Sequence, residues 1–464
     1  MMFCHFIDII YLCIEKIRTY MRKLLVFTLI ITLATTVSAQ RKWTLSECID
    51  YALQNNISLK KTQLARMNAT EDVLQSQASL LPTLSASTNQ SLGYRPWTNS
   101  GISTVTNGTV SSSVRKAYYN GSYGINAQWT VWNGNRNYNQ LKLNRLYEEQ
   151  AELDSSYTAN SIQEQIAQLY IQILYLNEAI SVNEQSLEAS KLNEQRGQEM
   201  VDVGKMSKAD LAQLTAQRAT EEYNLVAAKT NLANYKLQLK QILEITEGDF
   251  DIVIPAVTDE SALADIPSLP VVYEKALTIR PEIKSSHIGI QSSKLQLSIA
   301  QAQRLPTISM SGSLGTSTNS LSTDGWGSQM KTNFDMGLGA TLSVPILDSR
   351  SARTAINKAK IQQEQALLEL QNQQKQLYAT IEGYWLETYT NQEKFKAARL
   401  TVKSEQQSYE LLSEQFRLGL KNIVELMNGK TSLLTAQQNM LQSKYSTILN
   451  LQLLRFYQGD SISL

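Results

Sequence analysis

The sequence predicts a mainly α-helical protein that also contributes four β-strands per chain to a membrane β-barrel. Two spans, 97–254 and 346–464, contain no proline, so each can hold very long helices. The segments that follow Pro82 and Pro306 alternate apolar and polar residues with the period of two that is typical of strands. The same order of patterns occurs twice along the chain, which indicates an internal repeat.

The first 39 residues have the composition of a secretory signal. A basic cluster at 21–23 precedes an apolar run and a small-residue site that ends at Ala39. Cleavage there leaves a mature chain of 464 − 39 = 425 residues that begins at Gln40. We expect Met21 to be the true start, because the preceding residues add nothing that a signal needs. The alternative is that 1–39 form one long anchor.

The rest of the composition narrows the class of protein. With 43 basic and 42 acidic side chains the formal charge is +1, which predicts no polyanionic partner such as nucleic acid. Beyond the signal we find no run of 18 or more apolar residues, so we expect no membrane-spanning helix. If the protein enters a membrane, it does so with strands.

The internal repeat is visible as matched segments. Residues 51–60 return at 274–284, and Leu-Pro-Thr-Leu-Ser at 81–85 returns as Leu-Pro-Thr-Ile-Ser at 305–309 with an offset of 224. The segment 203–211 pairs with 418–426 at an offset of 215, so the first copy has gained 224 − 215 = 9 residues. We place them in the Ser/Thr/Asn/Gly-rich stretch 95–122, interpreted as an exposed loop that is longer than its counterpart at 316–333. The predicted units are 40–254 and 255–464.

Long coiled helices follow from the apolar spacing. From Ile162 the apolar residues recur in steps of four and three, which is a heptad seam: Ile162, Ile166, Leu169, Ile173, Leu176, Ile180. A helix over about 135–202 reaches roughly 100 Å at ~1.5 Å per residue. That length suits an element that crosses a compartment, although an ordinary extended coiled coil gives the same pattern.

Four segments read as strands with one apolar face. The apolar positions are Leu84, Ala86, Leu92 and Tyr94; Tyr123, Ile125, Ala127, Trp129 and Val131; Ile308, Met310 and Leu314; and Phe334, Met336, Leu338, Ala340, Leu342, Val344 and Ile346. Aromatic residues gather near the strand ends, as in an interfacial girdle: Tyr94, Trp97, Tyr118, Tyr119, Trp132, Trp326. Four strands cannot close a membrane barrel, so several chains must share one. The alternative is one face of a soluble sandwich.

Several motifs together resemble the TolC-type outer membrane efflux protein family, also called outer membrane factors, across the whole mature chain. They are the opening WTLSECIDYALQNN at 43–56, the Leu-Pro before each strand pair, the strand exits WNGN at 132–135 and LDSR at 347–350, and the Val-Gly and Leu-Gly turns between long helices. The resemblance implies a homotrimer with a twelve-stranded barrel and a twelve-helix tunnel, set in the outer membrane of a Gram-negative bacterium and extending into the periplasm.

The resemblance also implies function. Such a channel is the exit duct of a tripartite efflux or type I secretion system, in which a periplasmic adaptor, or membrane fusion protein, and an inner-membrane pump supply substrate and energy. It has no cofactor and catalyses nothing. Drugs, metal ions and polypeptides all stay open as cargo. The competing hypothesis from another class is a soluble periplasmic coiled-coil adaptor or scaffold without a barrel.

The turns between the long helices are the predicted docking tip. Gly204 and Gly419 suit the left-handed position that ends a helix, and Ser207 and Asn422 are placed to cap the next one. Helix termination accounts for the glycines but not for the apolar residues beside them. From the resemblance we assign adaptor docking to six residues: Val203, Gly204, Lys205, Leu418, Gly419, Leu420.

The resemblance places a gate just inside the tip, at Asp210, Phe416, Lys421, Glu425 and Asn428. Phe416 stands where the best-known member has a tyrosine, and Asn428 where it has a second acidic residue, so the inferred latch is altered. Three copies of Glu425 are expected to converge, to raise the pKa of at least one carboxyl and to lose charge on mild acidification. The alternative is that Asp210 and Glu425 are solvated charges at helix starts.

Candidate catalytic chemistry is sparse. Gly429-Lys430-Thr431 resembles the end of a phosphate-binding loop, but Val424 occupies the required earlier glycine position and the segment is predicted to be helical. Cys4 and Cys13 lie in the predicted signal, so His287 and Cys48 are the only histidine and thiol expected in the mature chain. They cannot form a His/Cys metal cluster or an internal disulfide, and no nucleophile elbow surrounds any serine. We therefore predict neither a metal site nor an enzyme.

Overall fold

The computed structural model describes residues 42–97, 102–106, 109–113, 116–256 and 258–463. The predicted signal, with its cysteines, the start at Met21 and the cleavage site before Gln40, lies outside the described residues. Within these ranges the chain forms an elongated array of helices that carries a small sheet at one end.

Helices make up most of the described chain. Their bounds are Leu45–Asn55 (α1), Ile57–Ala78 (α2), Arg136–Asp202 (α3), Lys208–Ile242 (α4), Asp259–Ala262 (α5), Leu269–Ile279 (α6), Pro281–Ala302 (α7), Trp326–Thr332 (α8), Ser351–Arg417 (α9) and Ile423–Tyr457 (α10). The helix predicted over about 135–202 is confirmed as α3. None of the helices within the described ranges combines the length and apolarity needed to cross a membrane.

The internal repeat is confirmed in the helix bounds. α1 and α6 each have 11 residues, and α2 and α7 each have 22, with every bound displaced by 224. α3 and α9 each have 67 residues, and α4 and α10 each have 35, with every bound displaced by 215. Each offset found in the sequence therefore holds over the paired helices.

The sheet has the strands β2 (Thr83–Tyr94), β5 (Ala117–Trp132), β7 (Thr307–Asn319) and β8 (Asp335–Ser343), antiparallel and in that order. Its register aligns the apolar positions: Ala86 lies opposite Ile125, Ile125 opposite Leu314, and Leu314 opposite Met336. The predicted apolar face is thus one continuous row across all four strands. A two-residue strand β1 (Lys42–Trp43) pairs in parallel with β6 (Asp251–Ile252), so the start and the end of the first repeat lie side by side.

Two local predictions about this region are wrong. The stretch 95–122 is not a plain loop, because it contains the hairpin β3 (Ile102–Thr106) and β4 (Thr109–Ser113) and the first residues of β5. Its Ser/Thr/Asn/Gly-rich sequence lacks the regular alternation of apolar and polar residues that identified the other strands. The fourth predicted strand does not continue to Ile346 but ends at Ser343, since Pro345 has no amide hydrogen to donate to a neighbouring strand.

Strand and long helix are joined by the same backbone turn in both repeats. Gly134 and Asn135 have φ of 68° and 64°, and Ser349 and Arg350 have φ of 51° and 69°. The Asp348 side chain accepts a hydrogen bond from the Arg350 amide at 3.1 Å, as short polar side chains do in tight turns. Two successive left-handed residues turn the chain from the sheet into the helix, which explains the WNGN and LDSR exits.

The main core lies midway along the long helices. Cys48 of α1, Tyr170 of α3 and Phe395 of α9 are fully buried there with the short helices packed around them. The Tyr170 hydroxyl donates to the Val253 carbonyl at 2.6 Å and so ties α3 to the segment after β6. From this core the helices continue for about 32 residues, or roughly 48 Å, to their far ends, so the tip is remote from both core and sheet.

Candidate functional site

Both long helices end in the same turn. The Lys205 amide donates to the Met200 carbonyl at 2.8 Å and the Gly204 amide to the Val201 carbonyl at 3.0 Å. At the second tip the Leu420 amide donates to Gln415 at 2.9 Å, and the Gly419 amide donates to Phe416 at 2.9 Å. This pair of bonds is a Schellman motif, which satisfies the last carbonyls of the helix.

The glycines of these turns have the predicted left-handed conformation. Gly204 has φ of 72° and Gly419 has φ of 73°, and in the described chain a Cβ at either position meets no heavy atom within 4 Å. Space is therefore available, and backbone strain alone selects glycine here. A β-branched residue in this conformation costs about 1–2 kcal/mol.

The predicted caps of the returning helices are also confirmed. The Ser207 hydroxyl accepts from the Asp210 amide at 3.1 Å, and the Asn422 side chain accepts from the Glu425 amide at 2.9 Å. Only at Asn422 does the carboxylate at the third helical position reach back to the cap amide, at 3.4 Å, to complete a capping box. The two tips thus share a backbone conformation and differ in the capping of the next helix, which is a full capping box only at the second tip.

The predicted docking residues lie at the surface. Val203, Leu418 and Leu420 are 68%, 65% and 71% exposed, and Gly204, Lys205 and Gly419 are exposed beside them. Exposed apolar side chains at a loop tip gain nothing for the isolated protomer, whereas they contribute to binding when a partner covers them. The structure brings the members of each tip together as predicted, and their role in docking stays a prediction.

A small apolar cluster under the tip holds the two hairpins together. It contains Leu214 of α4, Phe416 of α9, and Ile423 and Leu426 of α10, all buried. Phe416, one of the predicted gate residues, is therefore packed inside the protomer at 5% exposure. It has no hydroxyl with which to make the hydrogen bond that a tyrosine can make, so its contribution here is packing.

In each hairpin the two helices approach closely where a glycine of one helix faces a leucine of the other. In the first hairpin a Cβ on Gly197 of α3 meets the Leu214 side chain at 2.5 Å, and in the second a Cβ on Gly429 of α10 meets the Leu412 side chain at 2.6 Å. The offset of 215 places Leu412 at the position of Gly197 and Gly429 at that of Leu214. The two hairpins therefore use the same close approach with glycine and leucine exchanged between the helices.

Glu425, in the first turn of α10, is bound to Lys421, which lies just before the cap residue Asn422, at 2.7 Å between Nζ and Oε1. The hydrogen bond from Lys421 is the largest cause that lowers the pKa of the Glu425 carboxyl, and the Asn422 amide acts in the same direction. Within a protomer this shift is opposite to the one expected from converging carboxylates. Lys421 also offsets the charge of Glu425, so the acidic ring that the sequence predicts carries an attached cation.

The remaining gate residues are placed separately. Asp210 is half-buried and its carboxylate accepts from the Ser207 hydroxyl at 2.8 Å. Asn428 is exposed, one turn beyond Glu425. Glu425 and Asn428 thus follow one another on α10, with Lys421 just before its start, whereas Asp210 lies on the other hairpin and Phe416 packs in the tip core. The gate role of all five stays a prediction.

Sequence reasoning missed a buried ion pair near the tip. Lys430 of α10 and Glu221 of α4 are joined at 2.8 Å with side chains only 6% and 4% exposed. One signal was present, since Lys430 occupies the apolar seam formed by Ile423, Leu426 and Leu433 in steps of three and four. A lysine in such a seam needs a buried partner, but nothing local identifies Glu221, which lies 209 residues away.

The described residues offer little for catalysis. No group of three or more His, Cys, Asp or Glu side chains in this part of the chain is placed to hold a metal ion. Cys48 is fully buried, and burial raises the pKa of its thiol to about 12, which keeps it protonated and unreactive at neutral pH.

Comparison with known sequences identifies the family. The model of the family described as Outer membrane efflux protein matches residues 48–243 and 272–460, which is both repeats. Outer membrane efflux protein BepC of Brucella suis biovar 1 is 21% identical over 410 residues, covering 87% of this chain and 83% of that protein. Outer membrane protein TolC of Escherichia coli K12 is 22% identical over 358 residues, covering 70% and 72%.

Comparison with solved structures identifies the same fold. A crystal structure of CusC superposes on this chain with a TM-score of 0.77 at 16% identity. That structure was described in relation to folding and transmembrane channel formation. The superposition covers 91% of this chain and 95% of that one. The architecture of long helical hairpins with an attached four-stranded sheet is therefore shared almost from end to end.

Proposed function

Since the chain belongs to the outer membrane efflux protein family, it is an outer-membrane efflux channel, and we propose that it works as the passive exit duct of a tripartite export system. The predicted resemblance and the predicted outer-membrane location in a Gram-negative bacterium are confirmed by the family match and its relatives. The protein is a transport duct, and we assign it no catalytic step. The trimer, the partners, the docking tip and the gate belong to the proposal.

The open edges of the protomer carry the proposed trimer. The outer edges of β2 and β8 have no strand partner among the described residues, and an open edge cannot be left in hydrocarbon. Three copies of this sheet supply twelve strands, so each free β2 can pair with a free β8 of the next chain. Closure removes every edge.

The helical layer has matching edges. Near the sheet the helices lie in the order α2, α3, α7, α9, and near the tip in the order α4, α3, α10, α9, so α9 borders both layers. Along α9 an exposed apolar stripe repeats every 11 residues: Leu367, Tyr378, Tyr389, Leu400, Leu411. Eleven residues are three helical turns, so the stripe follows the helix axis closely.

The opposite border carries its own exposed apolar residues. They are Ile57, Leu64, Met67 and Leu74 on α2, and Tyr223, Val226 and Leu237 on α4. On α2 the steps of seven, three and seven are those of a coiled-coil seam. Burial of one border against the other in a ring of three chains supports a tunnel that continues the barrel.

The proposed trimer is tested by native mass measurement of the mature protein. We expect a detergent-extracted trimer from the outer membrane, starting at or near Gln40. A stable monomer in buffer without detergent contradicts the duct and supports the soluble coiled-coil adaptor or scaffold.

The exposed tips are the proposed docking surface for a periplasmic adaptor. Their apolar residues lie at the end of the molecule farthest from the sheet, where a partner anchored in the inner membrane can reach them. The inner-membrane pump determines the cargo, which is a drug, a metal ion or a polypeptide. Mild cross-linking followed by identification of the co-purified inner-membrane protein tests the partner and narrows the cargo.

The gate is proposed where three copies of Glu425 approach the channel axis, with Asn428 as a neutral polar ring beside them. The Lys421 ammonium bound to each carboxylate reduces the field of this ring, so we propose modest cation selectivity. The resemblance adds Asp210 and Phe416 to the proposed gate, and Phe416 lies in the tip core with Leu426, the residue after Glu425.

A further inference from the structure

The helices next to the sheet form a wall with two different faces. α7 lies between α3 and α9, and all three helices line one groove of about 570 Å³. Small residues of α7, Ser285, Ser286 and Gly289, lie in this groove between its two neighbours. Side chains of three successive helices converge in this way on the concave side of a curved wall. In the proposed trimer the concave side encloses the tunnel, so the face opposite the groove points outward.

The groove is acidic. Its charged lining residues are four carboxylates and one guanidinium: Asp154, Glu164, Glu282, Glu369, Arg280. The Arg280 guanidinium is buried and pairs with two of the carboxylates, Glu282 at 2.9 Å and Glu164 at 3.2 Å. The groove therefore carries a net negative charge.

The face opposite the groove is basic. On each of the three helices an exposed basic residue lies nine positions from a groove residue: Arg145 from Asp154, Lys294 from Ser285, and Lys360 from Glu369. Nine residues are two and a half helical turns, so each of these basic side chains lies on the side away from the groove. Exposed Lys142 and Arg353 share that side, three residues before Arg145 and seven before Lys360. These five residues are the basic face.

The basic face lies beside the predicted membrane boundary. α3 and α9 begin at the sheet and α7 ends there, and all five residues lie within nine positions of those helix ends, roughly 14 Å along the axis. Trp132, at the end of β5, is the interfacial aromatic residue nearest to α3. A headgroup layer about 5–7 Å thick lies at such a boundary. On α3 and α9 the side chains tilt towards the helix N-terminus, so the long basic side chains reach back towards this layer.

The charges of the basic face are available to an external anion. In the part of the chain that the structure describes, none of the five residues makes an ion pair, whereas Arg66 of α2, farther from the sheet, pairs with Glu152 of α3 at 3.3 Å. Lys142 Nζ lies 4.6 Å from the ring centroid of the exposed Tyr138 on the same side of α3. Tyrosine and lysine together are typical anchors at a membrane interface.

The sign of the charge changes with distance from the sheet. Glu149 and Glu364 are four residues beyond Arg145 and Lys360, roughly 6 Å farther along the axis. Both pairs are related by the offset of 215, so each repeat places a basic residue near the sheet and an acidic residue beyond it. A basic residue before an acidic one is the weaker order for pairing within a helix. Solubility requires exposed charges but not this order.

We infer that the basic face binds the headgroup phosphates of anionic phospholipids in the periplasmic leaflet of the outer membrane. The inference rests on the proposed function, in which three chains place 3 × 5 = 15 basic side chains around the outside of the tunnel. Lysine and arginine form charge-assisted hydrogen bonds with phosphate, and basic clusters next to a membrane-spanning segment attract anionic lipids. The contact fixes the depth of the barrel, with the apolar face of the sheet in hydrocarbon and the basic face among the headgroups.

The test removes charge from the basic face without touching the border helix. The variant carries Lys142→Gln, Arg145→Gln and Lys294→Gln, since glutamine is also a good helix former. Purified trimers are exchanged with equal amounts of phosphatidylglycerol and phosphatidylethanolamine that have the same acyl chains, and retained lipids are counted by native mass measurement. We expect wild type to retain phosphatidylglycerol over phosphatidylethanolamine by about threefold or more at low salt, and the variant to lose most of this preference.

A matched control removes three unpaired basic residues that are exposed far from the sheet, with Lys284→Gln, Lys394→Gln and Lys403→Gln. These positions are roughly 27 Å or more from the helix ends at the sheet, so the control should prefer phosphatidylglycerol as wild type does. In wild type itself, 1 M salt should abolish the preference, because the screening length falls to about 3 Å.

Two results overturn the inference while the proposed duct stands. One is an equal preference for phosphatidylglycerol in trimers of wild type and of the basic-face variant. The other is wild type that shows no such preference and is instead retained by isolated peptidoglycan. A wild-type chain that forms no detergent-extracted trimer overturns the proposed function and this inference together.

Discussion

The two hairpins of this protein have the same backbone and different side chains. Both have a helix of 67 residues, a Schellman turn with a left-handed glycine, and a returning helix of 35 residues. Yet at equivalent positions the first tip has Lys205 and Met206 where the second has Leu420 and Lys421. The turn glycine and the cap residue are enough to give both hairpins the same backbone geometry. The other positions can therefore carry different side chains in the two hairpins.

The exchange of glycine and leucine teaches the same lesson about packing. Gly197 accommodates Leu214 in the first hairpin, and Gly429 accommodates Leu412 in the second. Helix separation depends on the sum of the two facing side chains rather than on either position alone. A residue can therefore change between repeats without changing the fold, provided that the residue opposite compensates.

The largest expected effect concerns α9, which lies at the border of the protomer, unlike its equivalent α3 in the first hairpin. Leu400 and Leu411 are exposed on α9, whereas the equivalent residues of α3 are Gln185 and Arg196. We expect Leu400→Glu with Leu411→Glu to abolish trimers, because each buried leucine contributes about 1.5–3 kcal/mol and a buried unpaired carboxylate opposes assembly. Native mass measurement in detergent decides this.

A control for that experiment is Leu192→Glu on α3. Leu192 is also exposed, but α3 is covered on both sides within the protomer, so trimers should persist. Trimers in the double α9 variant show that the 11-residue stripe is not the interface between chains.

The fold was predictable because its signals are periodic and repeated. Heptad spacing from Ile162 to Ile180 predicted a long helix over about 135–202, where α3 lies, and the matched segments gave both offsets that the helices share. The hairpin β3 and β4 was missed because its sequence does not alternate apolar and polar residues regularly. The end of β8 at Ser343 was missed because the apolar alternation continues through Val344 and Ile346, beyond the last residue that pairs with β7.

The candidate site was predictable only where a local rule acts. The turn glycines and the caps Ser207 and Asn422 follow from backbone geometry, so they could be found in the sequence. Packing of Phe416 in the tip core and pairing of Lys430 with Glu221 depend on contacts between distant segments. One sequence without the fold does not specify such contacts.

The next prediction tests whether the turn that both hairpins share is the docking surface for the adaptor. Replacing Gly204 and Gly419 by valine strains two exposed turns by about 1–2 kcal/mol each and adds branched side chains to the tip surface. We expect export to stop and trimers to remain in the membrane, since the turns lie far from the sheet. Normal export with intact trimers excludes the tip as the docking surface. Gly383→Ala within α9, where a Cβ is equally free of contacts, is the harmless comparison.

A smaller effect separates the acidic residues of the two tips. If Glu425 lines the constriction, a trivalent cation added from the periplasmic side should block current through reconstituted channels, and Glu425→Gln should relieve that block. Asp210→Asn, at the equivalent position of the first hairpin, should change the block less, because the proposed ring is formed by Glu425 on the second hairpin. Equal block in wild type and Glu425→Gln returns Glu425 to the role of a helix-start charge.

The smallest effect makes the second tip more like the first. Lys421→Met introduces the residue found at the equivalent Met206 and removes the hydrogen bond that lowers the pKa of Glu425. A carboxyl with a lowered pKa keeps its charge as the pH falls below its ordinary range, so the wild-type ring should lose cation selectivity only at low pH. In Lys421→Met the pKa rises, and mutual repulsion of the three carboxylates raises it further. Selectivity should therefore be greater at neutral pH, where an attached cation has been removed, and should be lost at a higher pH than in wild type. Reversal potentials across a salt gradient, measured from neutral to acid pH, give both quantities. Lys205→Met removes the same charge from the other tip without touching Glu425, so its pH dependence should match that of wild type, and an identical pH dependence in Lys421→Met means that Lys421 does not control the charge of the ring.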